Sequence, residues 1–124
     1  MAGTSAKYTT NNAIFQANTV LFSKGSCLTL SANKVVIGSG VSKVRVSFSI
    51  FAESVLGAYI YPQIQKNGTS GFGESLKTPS SGYTSAGLSN VYINVTTGDT
   101  ISIYVDTQAK SATIENSSSA AAYT

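Results

Sequence analysis

Hydrophobic and polar residues alternate along several short stretches of this chain, and residues that favour turns separate those stretches. The clearest case is VSKVRVSFSIF, residues 41–51, where apolar side chains recur at every second position. One side of this stretch carries Val44, Val46, Phe48 and Ile50, and the other carries Arg45, Ser47, Ser49 and Phe51. A strict period of two over this length indicates a β-strand with one buried face.

The same alternation predicts strands at residues 18–23, 27–30, 34–38, 58–66, 88–95, 100–106 and, more weakly, 111–116. Residues 67–87 read as a loose segment rich in serine and glycine, and 117–124 as a trimmed end or a final strand. No window of twelve residues carries a helical stripe. The prediction is an all-β sandwich or barrel, with residues 1–17 as an arm or linker and 18–124 as a single domain.

Two of these strands allow finer predictions. Residues 88–95 place Val91, Ile93 and Val95 on one side and Leu88, Asn90, Tyr92 and Asn94 on the other. In residues 58–66, Pro62 has no N–H to donate to a neighbouring strand. That stretch is therefore predicted to be an edge strand or to contain a bulge.

The surface is expected to be polar but weakly charged. Charged residues make up only 10% of the 124 residues, against 42% hydrophobic, whereas soluble domains usually contain about 25% charged residues. Such a composition is common in extracellular and virion β-proteins. The net charge of +3 comes from dispersed residues with no basic run, so nucleic acid is not an expected partner. No apolar run reaches the ~20 residues that span a bilayer, and no secretory signal pattern is visible at residue 1.

Several catalytic chemistries lack their residues. The chain contains no His, and Cys27 is its only cysteine, which excludes Ser-His-Asp and Cys-His nucleophiles, an internal disulfide and a cysteine-rich zinc site. The chain has five carboxylates, and a glycosidase would need only two of them. The five are Glu53, Glu74, Asp99, Asp106 and Glu115. Because Asp99 suits a turn and the others lie near strand ends, we expect neither an enzyme nor a cofactor or metal.

Two turns stand out. Asn67-Gly68 suits the positive φ angles of a tight type I′ hairpin turn, and Gly98-Asp99 suits a second turn in which Asp99 accepts backbone hydrogen bonds. Asn67, Asn94 and Asn116 also fit the N-glycosylation pattern. Without a visible signal sequence, the hairpin interpretation of Asn67 is preferred.

Three segments, taken in order, resemble a known family. GSGVSKVRVSFSIF, YIYPQIQKNGTS and YTSAGLSNVYINVTTGDTISIYV resemble the tumour necrosis factor and complement-head type of jelly roll, especially the versions in phage tail fibres, baseplates and bacterial surface proteins. The resemblance covers about residues 18–116. It implies a two-sheet antiparallel sandwich that assembles as a homotrimer about its inner sheet.

Three residues are candidates for that trimer interface. Phe51, Leu88 and Tyr92 fall opposite the predicted core-facing sets, so a monomer would expose them. The alternative is that they pack beneath loops of the same chain.

The resemblance and composition together suggest two functions. One is a receptor-binding or host-adhesion head on a phage fibre or baseplate, or on a related extracellular surface appendage, that recognises host cell-wall saccharide. Its candidate contacts are Tyr59, Tyr61, Phe72 and Tyr83. Tyrosines suit this role because sugar C–H faces stack on aromatic rings. The other is a structural trimerisation or decoration module of a virion or spore surface without a ligand, in which these aromatics only cap the sandwich.

Overall fold

The computed structural model describes residues 8–10, 13–14, 27–54, 60–75, 82–108 and 112–123, with side chains for 14, 27–53, 60–75 and 84–108. The described residues form nine β-strands. These are β1 (Tyr8–Thr10), β2 (Ala13–Ile14), β3 (Leu28–Ser31), β4 (Lys34–Ile37), β5 (Lys43–Ser54), β6 (Tyr61–Lys66), β7 (Gly82–Asn94), β8 (Thr100–Asp106) and β9 (Ala112–Tyr123). All their pairings are antiparallel, which confirms the predicted all-β sandwich.

One sheet contains four strands in the order β1-β9-β5-β7. The long strand β5 lies near its centre and pairs with β7 from Lys43 opposite Asn94 to Ser54 opposite Gly82. β7 occupies the edge of this order.

The second sheet is built around β8. β6 pairs along one side of β8, from Tyr61 opposite Asp106 to Lys66 opposite Ile101. β2 and β4 pair with the two ends of β8 on its other side, and β3 lies beyond β4.

A short segment covers the outer edge of β6. The Ile64 N–H donates to the Gly73 carbonyl at 2.7 Å, and the Ser75 N–H donates to the Pro62 carbonyl at 3.0 Å. Because the carbonyl of Pro62 points towards residues 73–75, its missing N–H would have pointed there too and not into the ladder with β8. The sequence prediction of an edge strand is confirmed, and this position explains how β6 tolerates a proline.

The core lies between the two sheets, and its described members are aliphatic side chains and one phenylalanine. Its buried members are Val35, Ile37, Val41, Val44, Val46, Phe48, Ile50, Ala52, Ile60, Ile64, Ala86, Ile93, Val95, Ile101, Ile103 and Val105. The predicted inward face of β5 is confirmed, and β8 contributes Ile101, Ile103 and Val105 to the core. Cys27 is a free, half-buried thiol packed against this core.

The predicted position of Leu88 is wrong. Leu88 pairs with Phe48 and packs against the core, whereas Val91 pairs with Val46. Two residues of β7, Ser89 and Asn90, therefore lie opposite one residue of β5, which is a β-bulge. The N–H of Asn90, whose φ is 56°, donates to the Ser47 hydroxyl at 3.0 Å. Leu88 and Val91 are three residues apart, so regular alternation would place them on opposite sides of the sheet. The extra residue of the bulge brings both side chains to the core side.

Other differences concern strand bounds. β1 and β2 lie within the segment predicted as an arm or linker, and they pair with β9 and β8. β7 begins at Gly82, inside the stretch expected to be loose, and β9 extends through most of the final segment. The predicted strand at 18–23 lies outside the described residues, and the 17/18 boundary stays a prediction.

Candidate functional site

The outward side of the β6–β8 pair carries polar and aromatic side chains, and we call this surface the β6–β8 face. Its members occupy alternate positions of the two strands, opposite the buried Ile64, Ile103 and Val105. They are Tyr61, Gln63 and Gln65 on β6, and Tyr104 and Asp106 on β8. Ser102 occupies the remaining outward position of β8 but is buried. Tyr61 lies opposite Asp106, Gln63 opposite Tyr104, and Gln65 opposite Ser102.

Ser70 orients both glutamine amides of this face. Its hydroxyl donates to Gln63 Oε1 at 2.6 Å and accepts from Gln65 Nε2 at 3.2 Å. Ser70 reaches both because the chain reverses at Asn67-Gly68 and returns along β6. A single hydroxyl thus holds two long, otherwise mobile side chains in defined orientations, which lowers the entropy lost when a ligand binds them.

The described residues leave one end of each glutamine amide without a hydrogen bond. Among the described residues, no hydrogen bond uses Gln63 Nε2 or Gln65 Oε1. Gln63 therefore offers two N–H donors and Gln65 offers an acceptor at neighbouring positions of one strand. A neutral donor next to a neutral acceptor matches a ligand hydroxyl, which both donates and accepts.

Tyr61 and Glu74 form the acidic end of the β6–β8 face. The backbones of Glu74 and Gln63 form an isolated antiparallel β-bridge at the edge of β6. The hydrogen bond from the Tyr61 hydroxyl to Glu74 raises the pKa of Tyr61, and partial burial and the charges of Glu74 and Asp106 raise it further. Asp106 Oδ1 in turn accepts from the Gln108 N–H at 2.7 Å. Tyr61 is thus held in its neutral form, with its oxygen still able to accept a hydrogen bond.

A second set of contacts, which we call the turn clasp, secures the end of this hairpin. It consists of Asn67, Thr96, Asp99 and Thr100. Asn67 and Gly68 have φ angles of 52° and 79°, as a type I′ turn requires. The Asn67 side chain leaves this turn to meet the turn between β7 and β8.

Both ends of the Asn67 amide are engaged in the clasp. Nδ2 donates to Asp99 Oδ1 at 2.9 Å, and Oδ1 accepts from the Thr100 N–H at 2.9 Å. Asp99 Oδ2 accepts from the Thr96 N–H, also at 2.9 Å. The hydrogen bonds from Asn67 and Thr96, with the nearby Lys66 ammonium, lower the pKa of Asp99. Asn67 Nδ2, the atom to which a glycan would be attached, is thus engaged in a hydrogen bond that joins the two turns.

The structure places two of the four predicted saccharide contacts, Tyr61 and Phe72, on different sides of the second sheet. Tyr61 lies on the β6–β8 face, but Phe72 packs against the core on the inner side, where the Lys66 ammonium lies 5.1 Å from its ring centroid. Tyr83 belongs to β7, opposite Glu53, and its side chain lies outside the described part of the chain, as does all of Tyr59. Of the four, Tyr61 is the one that the structure places on this face.

Sequence reasoning missed the roles of Gln63, Gln65, Ser70 and Tyr104. The alternation of β6 does place both glutamines on the same side as Tyr61, so the glutamines carried a usable signal. Tyr104 occupied an outward position of a correctly predicted strand. Ser70 carried no such signal, because its contacts depend on how residues 69–75 fold back along β6.

The outward side of the other sheet differs, and we call it the β5–β7 face. It carries Arg45, Ser49, Phe51, Ser85 and Tyr92. Phe51 is 41% exposed and Tyr92 is 59% exposed. Phe51 lies far along β5 from Arg45, the residue opposite Tyr92, so the two aromatics lie about 20 Å apart. Between them the face is lined by serine, which permits a close approach by another surface.

The described residues show neither a metal centre nor a membrane-spanning helix. No group of three His, Cys, Asp or Glu residues among them could hold a metal ion. No helix in the described ranges is long and apolar enough to cross a bilayer.

Comparison with known proteins identifies the fold. No protein-family profile and no curated protein matches the sequence. Among solved structures, murine APRIL at pH 5.0 superposes with a TM-score of 0.62 at 12% identity, covering 91% of this chain and 94% of its own. Murine APRIL at pH 8.5 gives 0.59 at 10% identity, with coverage of 86% and 90%. APRIL belongs to the tumour necrosis factor family, so the chain has a tumour necrosis factor-like jelly-roll fold.

A carbohydrate-binding module, CBM35 from Cellvibrio japonicus Abf62, gives a TM-score of 0.44 at 15% identity, covering 95% of this chain and 97% of its own. This similarity is too weak to inform the fold or ligand of the present chain. All the identities are low, so the comparisons establish the fold alone.

Proposed function

We propose that this chain is a non-enzymatic, homotrimeric head domain that binds host cell-surface saccharide through its β6–β8 face. The observation that carries the proposal is the pair of glutamine amides oriented by Ser70, beside Tyr61. Neutral donors and acceptors on a rigid strand suit sugar hydroxyls. Tyr61 and Tyr104 add aromatic surface against which a sugar C–H face can pack.

The trimer part of the proposal rests on the β5–β7 face and on the fold. Phe51 and Tyr92 are large side chains that a monomer leaves exposed, and the serines between them allow two flat surfaces to approach. A trimer also presents three copies of the β6–β8 face. Weak contacts at each copy then combine into a much higher overall affinity when the target surface is densely glycosylated.

The setting that we propose is the tip of a phage fibre or baseplate, or a related surface appendage. The low content of charged residues and the sequence resemblance described above support this setting. Collagen-like or coiled-coil repeats in the neighbouring coding sequence would support it further.

The second candidate is a structural trimerisation or decoration module without a ligand. The β5–β7 face favours this function as strongly as it favours the first, because self-association requires no saccharide. The two candidates therefore differ only in the role of the β6–β8 face.

A glycan array that includes bacterial cell-wall saccharides tests the choice. The intact protein is expected to bind a subset of glycans, and Gln63→Ala is expected to weaken that binding by about tenfold, the effect of one lost hydrogen bond in a rigid site. Ser49→Ala, on the β5–β7 face, is the matched control and is expected to bind like wild type. No binding by a verified trimer would favour the structural module, and equal loss in both variants would exclude the β6–β8 face as the site.

A further inference from the structure

The Asn67-Gly68 pair combines a reactive dipeptide with a side chain that the fold restrains. In an Asn-Gly sequence, the glycine nitrogen can attack the asparagine side-chain carbonyl, because glycine has no side chain to hinder the approach. Gly68 is exposed, and a Cβ placed on it would meet no atom within 4 Å. The nucleophile is thus sterically open, and the state of the Asn67 amide decides whether the reaction proceeds.

We propose that Asn67 is a deamidation site that the turn clasp holds closed, and that deamidation there opens the clasp irreversibly. The reaction needs only water as co-reactant. The backbone nitrogen of Gly68 bonds to Cγ of Asn67, the Cγ–Nδ2 bond breaks, and ammonia leaves with the proton from Gly68. Water then opens the resulting succinimide at either carbonyl, which gives aspartate or isoaspartate at position 67. This proposal is independent of whether the β6–β8 face binds a saccharide.

The hydrogen bonds of the clasp oppose the first step. Nδ2 is held by Asp99 Oδ1 and Oδ1 is held by the Thr100 N–H, both at 2.9 Å, and the Thr100 hydroxyl lies 3.5 Å from the same Oδ1. The Asn67 N–H is also engaged, since it donates to the Thr100 carbonyl at 2.9 Å. Cγ can swing towards the Gly68 nitrogen only after these contacts break. The reaction rate is therefore set by how often the clasp opens.

The product cannot close the clasp again. An aspartate at position 67 has no side-chain N–H to donate, and it would place a carboxylate where Nδ2 now lies 2.9 Å from Asp99 Oδ1. Two carboxylates at that distance repel each other at neutral pH. Isoaspartate adds a backbone carbon to a turn whose two central residues already adopt the left-handed conformation. Either product should release the β6 hairpin from the turn between β7 and β8.

The first test measures the deamidation rate at Asn67 by peptide mapping of folded protein incubated at mildly alkaline pH. Wild type is expected to react more slowly than the same protein in denaturant. Asp99→Ala is expected to react about tenfold faster than wild type, the factor that corresponds to ~1.4 kcal/mol in the opening equilibrium. Equal rates in folded and denatured wild type, or no acceleration in Asp99→Ala, would overturn the proposal.

A control separates local opening from general destabilisation. Val105→Ala removes a fully buried side chain at the opposite end of β8 and leaves the clasp residues intact. The acceleration at Asn67 is expected in Asp99→Ala but not in Val105→Ala. Equal acceleration in both would mean that global unfolding, and not the clasp, governs the reaction.

The second test examines the product. Asn67→Asp is expected to lower Tm by about 4 °C. The exchanged pair, Asn67→Asp with Asp99→Asn, is expected to recover most of that loss. The amide introduced at position 99 can donate to the carboxylate introduced at position 67 and still accept from the Thr96 N–H. If the single variant were as stable as wild type, or if the exchange gave no recovery, deamidation would not open the clasp as proposed.

Discussion

The outward faces of the two sheets differ in how their side chains are satisfied. On the β6–β8 face, the segment after β6 folds back along the strand. Its Ser70 hydrogen-bonds Gln63 and Gln65, and its Glu74 hydrogen-bonds Tyr61. On the β5–β7 face, Phe51 and Tyr92 present large aromatic surfaces with serine between them. The first arrangement orients neutral donors and acceptors, whereas the second leaves apolar area that association would bury.

This difference shows that period-two alternation does not by itself determine what an outward position does. Both faces come from strands with buried aliphatic residues on the other side. What distinguishes them is the neighbouring chain: residues 69–75 fold against the edge of β6, and they supply the partners of Gln63 and Gln65. Variants on each face can test whether the two faces have separate roles.

The largest expected effect is loss of assembly when charge is added to the β5–β7 face. Tyr92→Arg places a second cation opposite Arg45, and in a trimer buried about this face neither charge would have a partner. We expect a monomer by light scattering after gel filtration at micromolar concentration. Gln63→Arg adds the same charge to the other face and is expected to remain trimeric. A monomeric wild type would contradict the trimer proposal itself.

The next largest expected effect distinguishes a role of Leu88 in the core from a role on the β5–β7 face. Leu88→Ala removes a side chain that packs against the core beside Val91, and it is expected to lower the free energy of unfolding by about 2 kcal/mol in chemical denaturation. Assembly should be unchanged. Ser89→Ala, at the exposed neighbouring position, is the control and is expected to stay within about 0.5 kcal/mol of wild type. A stable Leu88→Ala protein that fails to assemble would restore Leu88 to the interface.

A smaller effect tests whether orientation of the amides matters. Ser70→Ala leaves Gln63 and Gln65 in place but removes the hydroxyl that holds both. Saccharide affinity is expected to fall about fivefold, equivalent to ~1 kcal/mol. The readout is titration with whichever glycan the array identifies. Unchanged affinity would show that the glutamines need no orientation by Ser70.

The smallest expected effect is a pH dependence from Asp99. Its pKa is lower in the folded protein than in the unfolded chain, so the stabilisation is present above the unfolded-state pKa and is lost as the pH falls through the folded-state value. The Tm of wild type is therefore expected to decrease more between neutral and acidic pH than the Tm of Asp99→Asn. Parallel pH profiles would show that the clasp carboxylate contributes nothing.

How much the sequence could predict varied from strand to strand for a physical reason. In β5 and β8 the alternation continues across the buried stretch, so burial of Val44, Ile50 and Ile103 follows from spacing alone. In β7 one added residue reverses the alternation at Asn90, and simple spacing therefore misplaced Leu88. Asparagine tolerates the left-handed conformation, yet nothing nearby distinguished this asparagine from its neighbours. The position of a bulge depends on how a strand pairs with its neighbour. The residue pattern of one strand alone does not contain that information.

The candidate site was predictable only in part for a similar reason. Tyr61 followed from the alternation of β6, but its partner Glu74 and the contacts of Ser70 depend on the path of the chain after Gly68. The hairpin turn itself was predictable, because Asn67 and Gly68 carry a local conformational requirement. Its bond to Asp99 joins residues separated by 32 positions, and no local pattern specifies such a contact.

The segment along the edge of β6 has a consequence for contacts between copies of the chain. A bare strand edge can recruit the edge of a neighbouring copy and begin a continuous sheet between molecules. Residues 73–75 occupy the hydrogen-bonding positions of Ile64 and Pro62. Gly73 makes this possible at a φ of 153°, where a Cβ would come within 3.0 Å of Ile64 Cδ1. This glycine thereby lets the segment cover an edge through which the strands of two copies could otherwise pair.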